Sequence, residues 1–301
     1  MKRAHAIWLI TAAVVAAAGA ITLVDRFEVA AAPPAVSEVR PVHSAMEITL
    51  PFDRYQHSPA DLTTIDRATA VLARRCLNDF GQAWSPPDPP PLPASTGSSR
   101  YGLVDPDRAA RSGYHPVDNT PRQPGDRPEA TPEAMMIYTG KGTTSIGGKR
   151  IPEGGCLGQA RRELERGVPA AIPAAELIRL DQETFEQAQR DDRVRQAMTN
   201  WRSCMAASGY GYADVWAANN DIRWESETPS QVEIDTATTD VTCRQRTELV
   251  GTWLAVETAY QRQAVTEWAA QFDALDRGMR VRVGNATGVL ATRLNTQVLP
   301  T

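Results

Sequence analysis

The sequence predicts a mainly α-helical protein: a small helical bundle with one long C-terminal helix, a long Pro/Gly-rich irregular arm and an N-terminal membrane-spanning or signal helix. Three observations carry this. An uncharged run, Ala6 to Val24, opens the chain. A 75-residue stretch from Gly81 to Gly155 then holds 13 of the 22 prolines and 11 of the 20 glycines. Beyond it, apolar residues recur at steps of three and four, the period of an α-helix with one buried face.

Lys2, Arg3 and His5 precede the apolar run and Asp25 and Arg26 close it. As a helix it would cover roughly 28 Å, close to the roughly 30 Å hydrocarbon thickness of a bilayer. Positive charge ahead of the run predicts that the amino terminus stays inside and the rest is exported. Ala18-Gly19-Ala20 fits a small-x-small cleavage pattern, yet the run continues through Val24. Residues 1–32 therefore read as a signal anchor or a signal peptide. The chain is expected at the cell membrane as a single-pass protein with its C-terminal part outside, or secreted if the segment is cut.

Residues 33–57 read as a tether, 58–280 as a disulfide-stapled helical ectodomain that includes the arm 81–155, and 281–301 as a flexible tail. Ser58 is a good N-cap, with Pro59 at the first helical position, Asp61 near the positive dipole end and Gly81 as the stop. Leu62, Ile65, Leu72, Cys76 and Phe80 mark the inward face of that helix. Within the arm, Asp105 and Pro106 predict a short helix through Arg111. Met135 to Tyr138 with Ile146 to Ile151 predict a hairpin around Gly147 and Gly148. The proline run Ser85 to Ala94 reads as a stiff spacer.

After Gly155, Cys156, Ala160 and Leu164 mark a helix ended by Gly167. Leu177, Ile178 and Phe185 are the expected inward residues of the next helix. Asp192 caps a third, which carries Val194, Met198, Trp201 and Met205. The longest helix is expected from about Gln231 to Arg280, with a stripe of Ile234, Ala237, Val241, Leu249, Trp253, Val256, Tyr260, Ala264, Trp268, Phe272 and Leu275.

Four cysteines, an even count in an exported chain, read as two disulfides with three possible connectivities. The pairing Cys76 with Cys156 and Cys204 with Cys243 is favoured. The first joins the two ends of the arm; the second suits an antiparallel helix pair connected by Gly209 to Pro229. Zinc would need short-spaced ligand pairs, and the sequence has none.

The net charge of -4, from 32 basic and 36 acidic residues, excludes a polybasic nucleic-acid binder. Only Lys2, Lys141 and Lys149 are lysine, so 29 of the basic residues are arginine, a bias of GC-rich genomes. No complete catalytic set is visible and no cofactor is expected. Gly142, Gly147, Gly148 and Lys149 miss the phosphate-loop register by one residue, with Arg150 where its hydroxyl belongs. Glu257 is the weak catalytic candidate. It shares the apolar face of the long helix with Trp253 and Tyr260, so it is either ion-paired or a general acid in a cleft, and the second role needs another carboxylate nearby. Two loop clusters are the binding candidates: Tyr101, Tyr114 and His115 in the arm, and Tyr210, Tyr212, Trp216 and Trp224 after Gly209. Such aromatics stack on sugars, anchor a protein partner or tuck loops onto the bundle.

The blocks Arg100-Tyr-Gly-Leu-Val-Asp to Gly113-Tyr-His-Pro, Pro152-Glu-Gly-Gly-Cys-Leu-Gly, Cys204-Met with Gly209-Tyr, and Asp240-Val-Thr-Cys with Leu249-Val-Gly-Thr-Trp-Leu-Ala-Val-Glu-Thr-Ala-Tyr-Gln resemble an uncharacterised family of exported proteins from Streptomyces-like actinobacteria. The similarity covers roughly residues 50 to 275. It implies export and paired cysteines, and it carries no known activity. The expectation is a non-enzymatic cell-envelope protein that binds an envelope protein or glycan. The alternatives are a cell-wall glycan hydrolase using Glu257 and an accessory subunit of an export transporter.

Overall fold

The computed structural model describes residues 32–86, 100–115 and 129–297. The apolar run 6–24, most of the proline run and the last four residues lie outside the described residues. Among the described residues no helix is long and apolar enough to cross a membrane.

The order of helices is α1 Pro59–Asp79, α2 Pro106–Ser112, α3 Pro132–Thr139, α4 Gly155–Leu164, α5 Ala174–Arg190, α6 Asp192–Ala207, α7 Val215–Asn219, α8 Gln231–Arg246, α9 Leu249–Glu267 and α10 Ala269–Gln297. One two-residue hairpin pairs β1 Ser145–Ile146 with β2 Lys149–Arg150. The mainly α expectation holds. The hairpin is shorter than the sequence suggests, because Met135 to Tyr138 belong to α3, which Thr131 caps and Pro132 starts.

α1 begins with a reciprocal capping box: the Asp61 backbone N–H donates to Ser58 Oγ and the Ser58 N–H to the Asp61 carboxylate, both at 3.1 Å. Its buried side is Ala68, Val71, Leu72, Ala73, Cys76 and Leu77, while Leu62 points to solvent. Ala68, Leu72, Ala73, Cys76 and Leu77 form one core with Ile137, Ile151, Cys156, Ala160, Leu164 and Ala286, and α1 packs on α4 and α10. α10 runs through the segment expected as a flexible tail. Its face is made of small residues that a search for large apolar ones overlooks: Gly278 and Ala286 are buried, and Asn285 Nδ2 donates to the free carbonyl of Leu164 at 2.8 Å.

The larger core gathers Tyr101, Leu103, Val104, Ala109 and Tyr114 from the arm against Val194, Trp201, Met205, Val241, Leu249, Trp253 and Val256. The described parts of the arm thus contribute to both cores, so its disulfide is not all that holds it. In α5, Leu180, Thr184 and Ala188 take the buried face and Ile178 is exposed.

The stripe expected on one long helix is buried or half-buried, but the helix is broken twice, at Thr247–Glu248 and at Trp268. Glu248 adopts a left-handed φ of 50°, the only non-glycine residue among those described to do so. Segment 33–57 also departs from a free tether. Val42, Ile48, Leu50, Phe52 and Tyr55 are buried, and Arg193 Nη1 donates to the Pro34 carbonyl at 3.1 Å. The strap lies so close to α9 that a Cβ on Gly251 would fall 2.2 Å from the Arg40 carbonyl oxygen.

Both expected disulfides are present, Cys76–Cys156 and Cys204–Cys243. However, Trp201 meets Asp240 just as Cys204 meets Cys243, so contacts step forward together along α6 and α8. That is the order of parallel neighbours rather than the antiparallel pair expected. The long connection, with α7 inside it, carries the chain back. Removing the Cys76–Cys156 bridge by paired serine substitutions is expected to cost about 2–4 kcal/mol, because it frees a loop of 80 residues in the unfolded chain. Urea denaturation measures this; a loss under about 1 kcal/mol would show that core packing alone closes the loop.

Candidate ligand-binding cleft

The site starts from two helix caps. Asp105 caps α2, which ends at Gly113 with φ 55°. Ser230 caps α8 and puts Glu233 in its first turn, where backbone N–H groups favour a carboxylate. The chain leaving α2 lies directly on Glu233. Its Oε1 accepts from the Tyr114 N–H at 2.8 Å and the His115 N–H at 3.1 Å, and lies 2.7 Å from His115 Nδ1. Gly113 is required for this approach, since a Cβ there would sit 2.7 Å from the same oxygen.

The opposite wall comes from the connection between α7 and α8. Asp214 caps α7 and Asp221 caps the short turn Ile222–Trp224. Trp224 is fastened by its indole N–H to the Ala218 carbonyl at 2.8 Å and stacks on Tyr114 with centroids 5.9 Å apart. Arg223 lies over its ring at 4.9 Å. The two segments enclose a cleft of about 970 Å³, lined by Arg111, Tyr114, His115, Asn219, Asn220, Asp221, Trp224 and residues 225–229. Its aromatic part is Tyr114 and Trp224, and the rest of its lining is amides, hydroxyls, carboxylates, the His115 ring and the Arg111 guanidinium.

The charges are locally organised. Arg223 holds the Asp221 carboxyl well below the usual carboxylate range, with help from its own backbone N–H. Burial, and then Asp221, pushes the Tyr212 phenol up to about 12. Burial and Asp240 raise Tyr114 as well. The hydrogen bond to Glu233, and then the one to the Ser226 carbonyl, raises His115 above the ordinary histidine value.

Of the binding candidates, Tyr114, His115 and Trp224 come together here, and Tyr212 reaches the cleft through Asp221 at 2.9 Å. Trp216 instead lines a separate hollow of about 390 Å³ beside Met198 and Trp253, and Tyr210 packs half-buried against the larger core. Tyr101 is fully buried.

Tyr101 leads to Glu257, which lies inside the bundle with no solvent exposure. Glu257 Oε1 accepts from Arg100 Nε and Oε2 from the Tyr101 hydroxyl, each at 2.7 Å. Burial pushes its carboxyl up, and Arg100 and Tyr101 oppose that. Arg100 also holds Asp181 at 2.8 Å, and Gln261 joins Asp181 to the Phe52 backbone N–H of the strap. The second carboxylate near Glu257 is therefore Asp181 on α5, reached through a guanidinium. These are the surroundings of a structural ion pair.

A second buried network, unmarked by motif, centres on Asp240. Its carboxylate accepts from Trp201 Nε1 at 2.8 Å, Tyr114 Oη at 3.0 Å and Arg244 Nε at 2.7 Å. The Asp240–Arg244 spacing of four on an apolar face is the one sequence signal that could have exposed it. Glu233 carried no such signal, because its partners are 118 and 119 residues away. Among the described residues no group of three or more His, Cys, Asp or Glu is placed to hold a metal ion. No family model, curated protein or solved structure matches the chain.

Proposed function

We propose that the chain is an extracytoplasmic, non-enzymatic cell-envelope protein, anchored by or released from its N-terminal segment, that binds a neutral polar polymer such as an envelope glycan in the Tyr114–Trp224 cleft. One observation carries this reading: two loop segments about a hundred residues apart converge on a single cleft with a stacked aromatic pair and a hydrogen-bonding lining. Its volume of about 970 Å³ falls in the range of roughly 300–1,000 Å³ typical of ligand sites. Export rests on the apolar run 6–24, and the resemblance to exported actinobacterial proteins agrees with it. The sealed position of Glu257 favours binding over hydrolysis.

Co-sedimentation of the full-length chain with insoluble cell-wall glycan tests the reading. Saturable binding is expected, weakened about thirtyfold by Asn219→Ala with Asn220→Ala, since each of the two lost polar contacts is worth about 1 kcal/mol. No binding above a control protein would overturn it. Release of soluble sugar that disappears in Glu257→Gln would replace it with the hydrolase reading.

A further inference from the structure

We propose that His115 is a proton-operated latch on the cleft: its imidazolium ties the arm to both α8 and the 225–229 wall, and loss of one ring proton releases that wall. The geometry is unusual in needing two donors at once. Nδ1 lies 2.7 Å from Glu233 Oε1, and Nε2 lies 2.7 Å from the Ser226 carbonyl oxygen. The Ser226 carbonyl only accepts, and Glu233 as a carboxylate, its Oε1 already taking the Tyr114 and His115 N–H groups, only accepts as well. A neutral imidazole has one N–H, so it can satisfy only one of them.

The choice of which bond breaks follows from the partners. Glu233 is completely buried, its Oε2 has no hydrogen-bond partner among the described residues, and its Oε1 is the fixed point of the turn at 113–115. A charge-assisted bond to this carboxylate outlasts one to a neutral carbonyl. The neutral tautomer therefore keeps its proton on Nδ1, and the Nε2 lone pair then faces the Ser226 oxygen. Residues 225–228 are exposed, and among the described residues the bonds Ser226 makes besides this one stay within the loop, to Trp224 and Thr228. Trp224 on one side and the Ser230 cap on the other are its remaining anchors.

Other charged groups surround the latch. Arg108 and Arg111 come from α2, with Arg108 Nη2 donating to the His115 carbonyl at 3.5 Å. Asp221, Arg223, Glu225 and Glu227 come from the connection, and Asp240 and Arg244 lie deeper along α8. Among the described residues, the ring's own hydrogen-bond partners are Glu233 and Ser226. The sign follows: the folded state binds the His115 proton more tightly than the unfolded chain, so the latch is fully closed below the ordinary histidine range and opens as pH rises through the raised value.

The functional meaning of the latch rests on the cleft reading above, but its test does not. The full-length chain is digested by a glutamyl endopeptidase, which cuts after Glu225 and Glu227, from about pH 6 to about pH 8.5. Dividing the rate for His115→Phe by that for wild type cancels the protease's own pH profile. The variant is expected to be cut about tenfold faster at the acid end, the scale of a lost hydrogen bond to a charged group, with the ratio falling towards one at the basic end. A ratio that stays flat, whether at one or above it, overturns the latch. A second measurement covers a variant that fails to fold: ¹⁵N resonances of the wild-type His115 ring should show both nitrogens protonated at about pH 6.5, and a neutral ring there overturns the latch equally. Glycan binding with a flat ratio sinks the latch alone; a titrating latch without glycan binding sinks the cleft function alone.

Discussion

Asp240→Ala is expected to destabilise the protein by about 3–5 kcal/mol, the range for breaking a buried ion pair from one side. The reason is the group left behind. Arg244 is 2% exposed, and among the described residues its one hydrogen-bond acceptor besides Asp240 is the Tyr101 carbonyl. Without the carboxylate its guanidinium is a buried charge with no counter-ion. The Trp201 indole N–H and the Tyr114 hydroxyl lose their acceptor at the same time. Urea denaturation gives the magnitude, and a paired variant gives the mechanism. Asp240→Leu with Arg244→Met, which removes both charges and keeps volume, should be less damaging than Asp240→Ala alone. If the pair is as costly as the single change, the loss comes from packing and not from a stranded charge.

Arg100→Met is the second large effect, expected at about 3 kcal/mol near neutral pH. It strands Glu257, which burial already pushes towards its neutral form. The pH dependence has a definite sign. A carboxyl whose folded value is raised binds its proton more tightly in the folded state, so stability is regained as pH falls through that value and is fully regained below the unfolded value of about 4.3. The deficit of Arg100→Met relative to wild type should therefore shrink between about pH 7 and about pH 4.5. A deficit independent of pH would mean that Asp181, which Arg100 also holds, dominates the loss. Glu257→Gln should cost less, about 1–3 kcal/mol, because Arg100 keeps Asp181 and the amide can still meet Tyr101.

Much of the local structure was legible residue by residue. Ser58, Asp105 and Gly81 work within one turn of their own backbone, so their effect does not depend on the rest of the chain, whereas the cap expected at Asp192 falls one residue earlier, on Asp191, whose carboxylate accepts from the Arg193 N–H and leaves Asp192 as the first helical residue. The apolar stripe from Ala237 to Phe272 also holds, because period alone decides which side chains share a face. The two helix breaks within it were hidden: Glu248 enters a left-handed conformation without any glycine or proline to announce it. Leu62 and Ile178 fit a helical stripe equally well and still face solvent, since each helix can roll to present whichever face its neighbours leave open.

The candidate site divides in the same way. Sequence marked Tyr114, His115 and Trp224 as chemistry-bearing, and it marked Glu257 as a carboxylate needing a partner. It could not pair His115 with Glu233, or Glu257 with Arg100 at a separation of 157 residues.

By itself, then, the sequence determined the helical class, the caps, the even cysteine count and the residue types that burial would make expensive. Those depend on backbone propensity, on apolar period and on the desolvation energy of single groups. Tertiary structure alone decided that the strap and the described parts of the arm contribute to the core, that α6 and α8 meet in the same sense, that Glu257 is sealed beside Arg100, and that two distant loops make one cleft. A hydrogen bond between residues far apart leaves no periodic trace in the chain, because its strength depends on distance in space and not on separation in sequence.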